Sequence, residues 1–231
     1  VRELITSTEV AALQPDGFIV RSRAQDQVTV LAAAGRLNPK HHGLKVNLGT
    51  LYGAYAALEA LGFGFLHPLA PHVPQAIALP TQDLDQTHRP HWPERGIHVH
   101  TMHPIELTNL LNGWGRTGHD DAKGFEAMKP EWRLYNEWLL ANRQNLVEWV
   151  LLSATDWSTF AESKTRQQRL AALVDICHEY GIAAGVDVGI ALQQQHTFRL
   201  ITQTGELAAE KKQLRARADY LMAAGFDFLS T

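Results

Sequence analysis

The feature that most constrains the fold is the alternation of strand-like and helix-like segments after Arg95. Short apolar or β-rich segments alternate with segments in which apolar residues recur three or four positions apart, the period of a helix. Gly181 and Gly225 end two of the predicted helices. Strands joined through helices form a parallel sheet with right-handed crossovers, so the sequence predicts an α/β fold. The predicted elements are, in chain order, strand 97–100, helix 130–142, strand 146–152, helix 165–180, strand 182–190, helix 206–224 and strand 226–229.

The length of this region predicts a partial barrel. A complete (β/α)8 barrel needs about 250 residues, whereas about 140 follow the predicted linker. We therefore predict that residues 89–231 form the first half of such a barrel, with about four strands. The chain ends on a predicted strand that no helix covers, which favours the barrel over an open four-stranded sheet, the alternative.

The residues before the barrel, 1–88, are predicted to form a small α+β domain. Two β-rich segments, 18–23 and 28–31, suggest a hairpin. A helix follows, with Thr50 as the predicted N-cap and Gly62 as its stop, and then a buried strand at 63–66. The proline-containing polar stretch 80–94 has the composition of a linker and includes the domain boundary.

Composition excludes several classes of protein. With 21 basic and 24 acidic residues the formal charge is −3, so the chain lacks the basic surface of a nucleic-acid-binding protein. Its single cysteine, Cys177, rules out an intrachain disulfide and a cysteine-based metal site. No apolar run reaches the roughly 18 residues of a membrane span. We expect no nucleic acid, no membrane span and no cofactor.

Four segments, taken in order, resemble a known group of enzymes. Gly49–Pro68 (GTLYGAYAALEALGFGFLHP) resembles the small α/β domain that precedes the barrel in β-hexosaminidases, α-glucuronidases and related glycoside hydrolases. The segments PERGIHVHT, WLLANRQNLVEWVLL and LVDICHEYGIAAGVDV resemble the entries to their first three barrel strands. The resemblance implies a carbohydrate-active protein with an oligo- or polysaccharide substrate. Enzymes of this build often act outside the cytoplasm, so we expect a periplasmic or secreted protein.

Two departures from that pattern affect the expected chemistry. Hexosaminidases carry Pro-Gly-His after strand three, where this chain has Gly189-Ile190-Ala191-Leu192. They carry an Asp-Glu pair at the end of strand four, close to where this sequence stops at Thr231. The resemblance therefore supports a broader hydrolase-like family and places the general acid just beyond Thr231. We expect the chain alone to lack glycosidase activity.

Candidate substrate-binding residues follow from the rule that barrel enzymes bind substrate at the carboxyl ends of their strands. Histidines and a carboxylate there suit hydroxyl recognition, and tryptophans offer flat apolar faces to sugar rings. Arg95 lies at the start of strand one, and the resemblance implies that it binds the sugar, since a guanidinium can bind two adjacent hydroxyls. A salt bridge that anchors the linker is an equal alternative for Arg95. The candidates are Arg95, His100, His103, Trp114, Asp156 and Trp157.

Weaker candidates include Glu106, Ser153, His196 and Ser230.

Two other functions remain open. His98 and His100 lie two residues apart on one strand and face the same way, the spacing by which amidohydrolase barrels bind a divalent cation. The second of these alternatives is a barrel that binds carbohydrate without catalysis.

Overall fold

The structure, a computed structural model, describes residues 4–25, 28–77, 79, 83–100, 105–153, 158–192 and 196–231. The chain divides into two compact units: the first contains Val1–Arg95 and Leu134–Asn145, and the second contains Gly96–Arg133 and Leu146–Thr231. The helices are α1 (Ser7–Ala11), α2 (Leu48–Ala60), α3 (Ile105–Leu111), α4 (Ala122–Ala141), α5 (Ser158–Ala161), α6 (Lys164–Glu179) and α7 (Leu207–Met222). The strands are β1 (Phe18–Gln25), β2 (Val28–Gly35), β3 (Asp85–His88), β4 (Gly96–Val99), β5 (Leu146–Val150), β6 (Ala183–Asp187) and β7 (Phe228–Ser230).

The first unit is a three-stranded antiparallel sheet, in the order β2-β1-β3, covered by α2. The predicted hairpin is the β1–β2 pair. Phe18 and Tyr52 are buried between the sheet and the helix. Glycine lets the two elements approach closely, because a Cβ added to Gly35 would lie 2.0 Å from the backbone of Gly49. The helix backbone therefore rests directly on the end of the hairpin.

Three details of this unit differ from the sequence predictions. The N-cap of α2 is Asn47, whose side chain accepts a hydrogen bond from the amide of Thr50, the residue predicted for that role. The segment 63–66 forms only an isolated bridge, Gly64 with His72, and Leu66 is exposed rather than buried in a strand. β3 lies inside the predicted linker. Its four side chains are exposed at a sheet edge, which explains why its composition is that of a linker.

The second unit contains a parallel sheet in the order β4-β5-β6-β7, so the prediction of four parallel strands is confirmed. The registers place His98 beside Glu148, Glu148 beside Gly185, and Asp187 beside Ser230. These residues lie on one face of the sheet, since side chains alternate along a strand.

The opposite face of this sheet is buried beneath helices. Trp149 on β5 is fully buried and meets the ring of Trp132 on α4 edge-on, with centroids 5.9 Å apart. The indole of Trp132 donates a 3.1 Å hydrogen bond to the carbonyl of Leu173 on α6. Because strands in consecutive order with right-handed crossovers place their helices on one side, the face that carries His98 and Glu148 keeps partial exposure.

Two helices, α3 and α4, differ from the prediction. α3 lies between the predicted strand 97–100 and the predicted helix 130–142, where no element was predicted. α4 begins eight residues before Pro130, which was predicted to start it; Phe125 and Met128 in the added turns are buried, and their burial favours the longer helix. Pro130 itself is exposed and lies inside the helix. In the described part of the chain, no helix has the length and apolarity needed to cross a membrane.

Candidate active site

Four side chains on the partly exposed face of the parallel sheet form the polar cluster: His98, Glu148, Asp187 and Ser230. They come from all four strands and lie in the carboxyl-terminal half of the sheet. In parallel α/β folds this end of the sheet binds substrates, because the loops that follow the strands meet there.

Glu148 is the best-connected member of the polar cluster. Its Oε1 lies 3.1 Å from Nδ1 of His98, and its Oε2 accepts a 2.6 Å hydrogen bond from the hydroxyl of Ser230. The contact to Ser230 passes across β6, where the neighbouring residue is Gly185. The ring of Phe228 occupies the space beside this glycine, since a Cβ added to Gly185 would lie 2.1 Å from that ring.

Asp187 occupies a different environment. Burial raises the pKa of its carboxyl group, and the negative charge of Glu148 adds to the effect, while His98 and His100 oppose it. Nε2 of His98 lies 3.9 Å from Oδ2 of Asp187, so the imidazole stands between the two carboxylates. The site thus holds one hydrogen-bonded carboxylate and one carboxyl group that retains a proton to higher pH.

A cavity of about 440 Å³ opens beside the polar cluster, a size typical of small-molecule sites. One part of its wall is polar and is formed by His100, Asp187, Thr197 and Thr231. The remainder is apolar and is formed by Val150 and by the segment 188–192 that follows β6.

A buried cation, Arg166, connects several segments near the cavity. Arg166 on α6 is fully buried and donates to the backbone carbonyls of Asn112, Leu152 and Ala161 and to Oδ1 of Asn112. The same Asn112 oxygen accepts a 2.7 Å hydrogen bond from the amide of Leu152. The guanidinium therefore joins the segments that follow α3 and β5 to the last residue of α5. Burial lowers the pKa of Arg166 to about 10.

Arg95, which the resemblance selected for sugar binding, lies in the first unit. Its Nη2 is 3.3 Å from Oδ2 of the buried Asp16 and from the hydroxyl of Tyr52. Nε donates to the carbonyl of Arg143, and Nη1 donates to the carbonyls of Trp92 and Pro93. All five N–H groups of the guanidinium therefore have acceptors within the protein, as in the salt-bridge alternative.

The other predicted residues are placed as follows. His100 lines the cavity, and its ring centroid lies 6.2 Å from that of His98. Trp114 is half-buried in the turn after α3 and is not among the described residues that line the cavity. Ser153 donates a backbone hydrogen bond to the carbonyl of His196, which fastens the loops after β5 and β6 together. His103, Asp156 and Trp157 lie outside the described residues, and Glu106 lies in α3.

Sequence reasoning missed Glu148 and Asp187 as site residues because it selected residues that follow the strands. The available signal was Glu148 itself, a single charge in an otherwise apolar strand, at a position that parallel pairing sets beside His98. Among the described residues, no three His, Cys, Asp or Glu side chains are grouped as metal ligands.

No family model matches the chain. A search of curated proteins finds no relative either.

Proposed function

We propose that the protein binds a carbohydrate at the carboxyl end of its parallel sheet and, in full-length form, hydrolyses a glycosidic bond there. The observation that carries this proposal is the pair of unlike carboxylates, Glu148 and Asp187, on neighbouring strands. Glycosidases use two carboxyl groups whose environments give them opposite protonation states. The resemblance to β-hexosaminidases and related glycoside hydrolases supports glycoside hydrolysis, but it places the general acid just beyond Thr231, whereas this proposal assigns that role to Asp187.

The two carboxyl groups suit different roles. Asp187, whose pKa burial raises, would protonate the leaving oxygen as general acid. Glu148, held by Ser230 and His98, would act as base or nucleophile on the sugar. His98 lies between them, where it orients Glu148. His100 and Thr231, on the polar wall of the cavity, would bind sugar hydroxyls.

We propose further that the parallel sheet belongs to a (β/α)8 barrel whose interior is the face carrying the polar cluster. The strand order β4-β5-β6-β7 never reverses, as in a barrel and unlike a doubly wound sheet. Along this face the side chains change from Leu146 and Ala183 to Glu148 and then Asp187 toward the carboxyl ends. A barrel enzyme has the same gradient, with packing layers below and chemistry above.

The test is turnover, by the full-length protein, of two glycosides of one sugar, one with a 4-nitrophenyl leaving group and one with an alkyl leaving group. Asp187→Asn should slow the alkyl glycoside by about 100-fold or more, because general acid catalysis typically contributes at least that much. The 4-nitrophenyl glycoside needs little protonation and should lose much less. Glu148→Gln should slow both substrates.

Asp219→Asn is the matched control, because Asp219 is an exposed carboxylate on α7 in the same unit. It should leave both rates unchanged. Carbohydrate binding without turnover would favour the non-catalytic barrel. Equal losses for both substrates in Asp187→Asn would remove the general-acid role. The absence of both binding and turnover would overturn the proposed function.

A further inference from the structure

Two large aliphatic side chains are exposed at the mouth of the cavity. Ile190 is 49% exposed and Leu192 is 79% exposed, and both line the cavity beside the buried Val150 and Val188. Exposed aliphatic residues next to a concave site mark a binding surface more often than isolated ones elsewhere. The position of this pair connects it to the polar cluster through the shared cavity.

The segment that carries these side chains is fixed by backbone hydrogen bonds. Gly189 donates to the carbonyl of Phe198 at 2.9 Å, and its own carbonyl accepts from Leu200 at 2.8 Å. The carbonyl of Ile190 accepts from Ile201 at 2.7 Å. Phe198 is fully buried, and its amide donates to the carbonyl of Leu151 at 2.7 Å. The aliphatic pair is therefore presented on an anchored loop, with little further ordering needed on binding.

A close backbone contact also depends on glycine in this loop. A Cβ added to Gly189 would lie 2.6 Å from the carbonyl oxygen of Leu192, closer than real Cβ contacts allow. Gly189 thus permits the tight turn that brings Leu192 back over the cavity.

The two parts of the cavity wall call for two chemical properties in one ligand. Asp187, His100 and Thr231 offer hydrogen bonds to hydroxyl groups. Ile190 and Leu192 expose apolar surface that makes no hydrogen bonds to hydroxyl groups. Binding gains free energy when an apolar group of the ligand covers this surface and removes it from water. A ligand with a polar head and an aliphatic or aromatic group satisfies both.

We infer that the substrates of this site are amphiphilic glycosides, whose alkyl or aryl aglycone packs against Ile190 and Leu192 while the sugar contacts the polar wall. This inference rests on the proposed function, because the sugar and the bond to be cleaved are assigned there. It adds the chemical class of the group attached to the sugar.

The test is a titration of the protein, labelled at isoleucine and leucine methyl groups, with methyl β-D-glucopyranoside, n-hexyl β-D-glucopyranoside and 1-hexanol, followed by NMR. The hexyl compounds should shift the methyl signals of Ile190 and Leu192. Each buried methylene should tighten binding about fourfold, so burial of two of the five methylenes that distinguish the hexyl from the methyl glucoside gives about 15-fold. Leu192→Ser should weaken n-hexyl glucoside binding about tenfold and leave the methyl glucoside unchanged.

Leu66→Ser is the matched control, since Leu66 is a 93% exposed leucine in the first unit and does not line this cavity. It should bind both glucosides as the parent does. The 1-hexanol titration separates the two proposals. Shifts at Ile190 and Leu192, together with no turnover of any glycoside by the full-length protein, would support the apolar subsite and contradict only the proposed function. Equal affinities for the two glucosides, or shifts spread over unrelated methyl groups, would overturn the inference. So would a loss of self-association in Leu192→Ser, which would assign the pair to contacts between copies of the chain.

Discussion

Replacing Arg166 by methionine removes the buried cation that joins three segments beside the candidate site. Methionine preserves much of the side-chain length and apolar contact, so the change isolates the guanidinium. Its hydrogen bonds to the carbonyls of Asn112, Leu152 and Ala161 and to Oδ1 of Asn112 measure 2.8–3.1 Å. After the substitution, the carbonyls of Leu152 and Ala161 lose this donor.

The size of the effect follows from two opposing contributions. A hydrogen bond from a charged donor contributes about 1.5–3 kcal/mol, so four of them contribute at least about 6 kcal/mol. Burial lowers the pKa of Arg166 from 12.5 to about 10, and one pKa unit corresponds to 1.36 kcal/mol, so keeping the charge buried costs about 3 kcal/mol. The expected loss of unfolding free energy for Arg166→Met is therefore about 3–5 kcal/mol, the range typical of breaking a buried charged network.

Urea unfolding monitored by tryptophan fluorescence measures this loss, because Trp132 and Trp149 are buried in the core of the second unit. Arg166→Lys should also be strongly destabilising, since an ammonium group cannot reproduce the planar fork that reaches three segments. Arg215→Met, at an exposed position on α7, should change stability by no more than about 0.5 kcal/mol. A loss below about 1 kcal/mol in Arg166→Met would show that the guanidinium does not hold the segments together.

Two further predictions concern the stability of each unit. The hydrogen bond to Asp227 raises the pKa of His178 above its ordinary value of 6.5. The pair therefore stabilises the second unit fully below about pH 6.5, and this stabilisation is lost as the pH rises through the raised pKa. Between pH 6 and pH 9, the free energy of unfolding should therefore fall more in the parent than in His178→Gln. Equal falls in the two proteins would contradict the role of this pair. In the first unit, Gly49→Ala should cost about 2 kcal/mol in urea unfolding, because its Cβ would lie 2.6 Å from the carbonyl oxygen of Gly17. Gly53→Ala on the same helix, whose Cβ would meet side chains at 3.2 Å or more, should cost little, and similar losses in the two variants would show that backbone approach is not the cause.

The parallel sheet of the second unit was predictable because its strands and helices repeat at two distinct periods. β5 and β6 are short and mostly apolar, α6 and α7 carry apolar stripes, and glycine follows both helices at positive φ. The polar strand β3 was not predictable from its own residues. Its exposed side chains carry no alternation, and only its backbone pairing with β1 makes it a strand.

The sequence predicted where the candidate site lies, but it did not predict all the residues that form it. The rule for carboxyl ends of strands selected His100, which lines the cavity. It passed over Glu148 and Asp187, which lie within strands and reach the site because one sheet face is not covered by helices. Recognising them required the register, above all the pairings of His98 with Glu148 and of Asp187 with Ser230. No local pattern in the sequence encodes that register.

The polar cluster is difficult to explain as a device for stability. A parallel sheet is ordinarily apolar on both faces, and well-packed apolar residues usually stabilise a fold at least as well as buried charges do. The same face shows this nearer the amino ends of the strands, where Leu146 and Ala183 stand in register with each other. Two residues further along, Glu148 requires hydrogen bonds from two other strands, and Asp187 pays a desolvation cost that raises its pKa. A carboxyl group with a perturbed pKa beside a cavity, as at Asp187, is characteristic of sites that transfer protons. The polar cluster is therefore the part of this sheet where we expect chemistry rather than packing to have determined the residues.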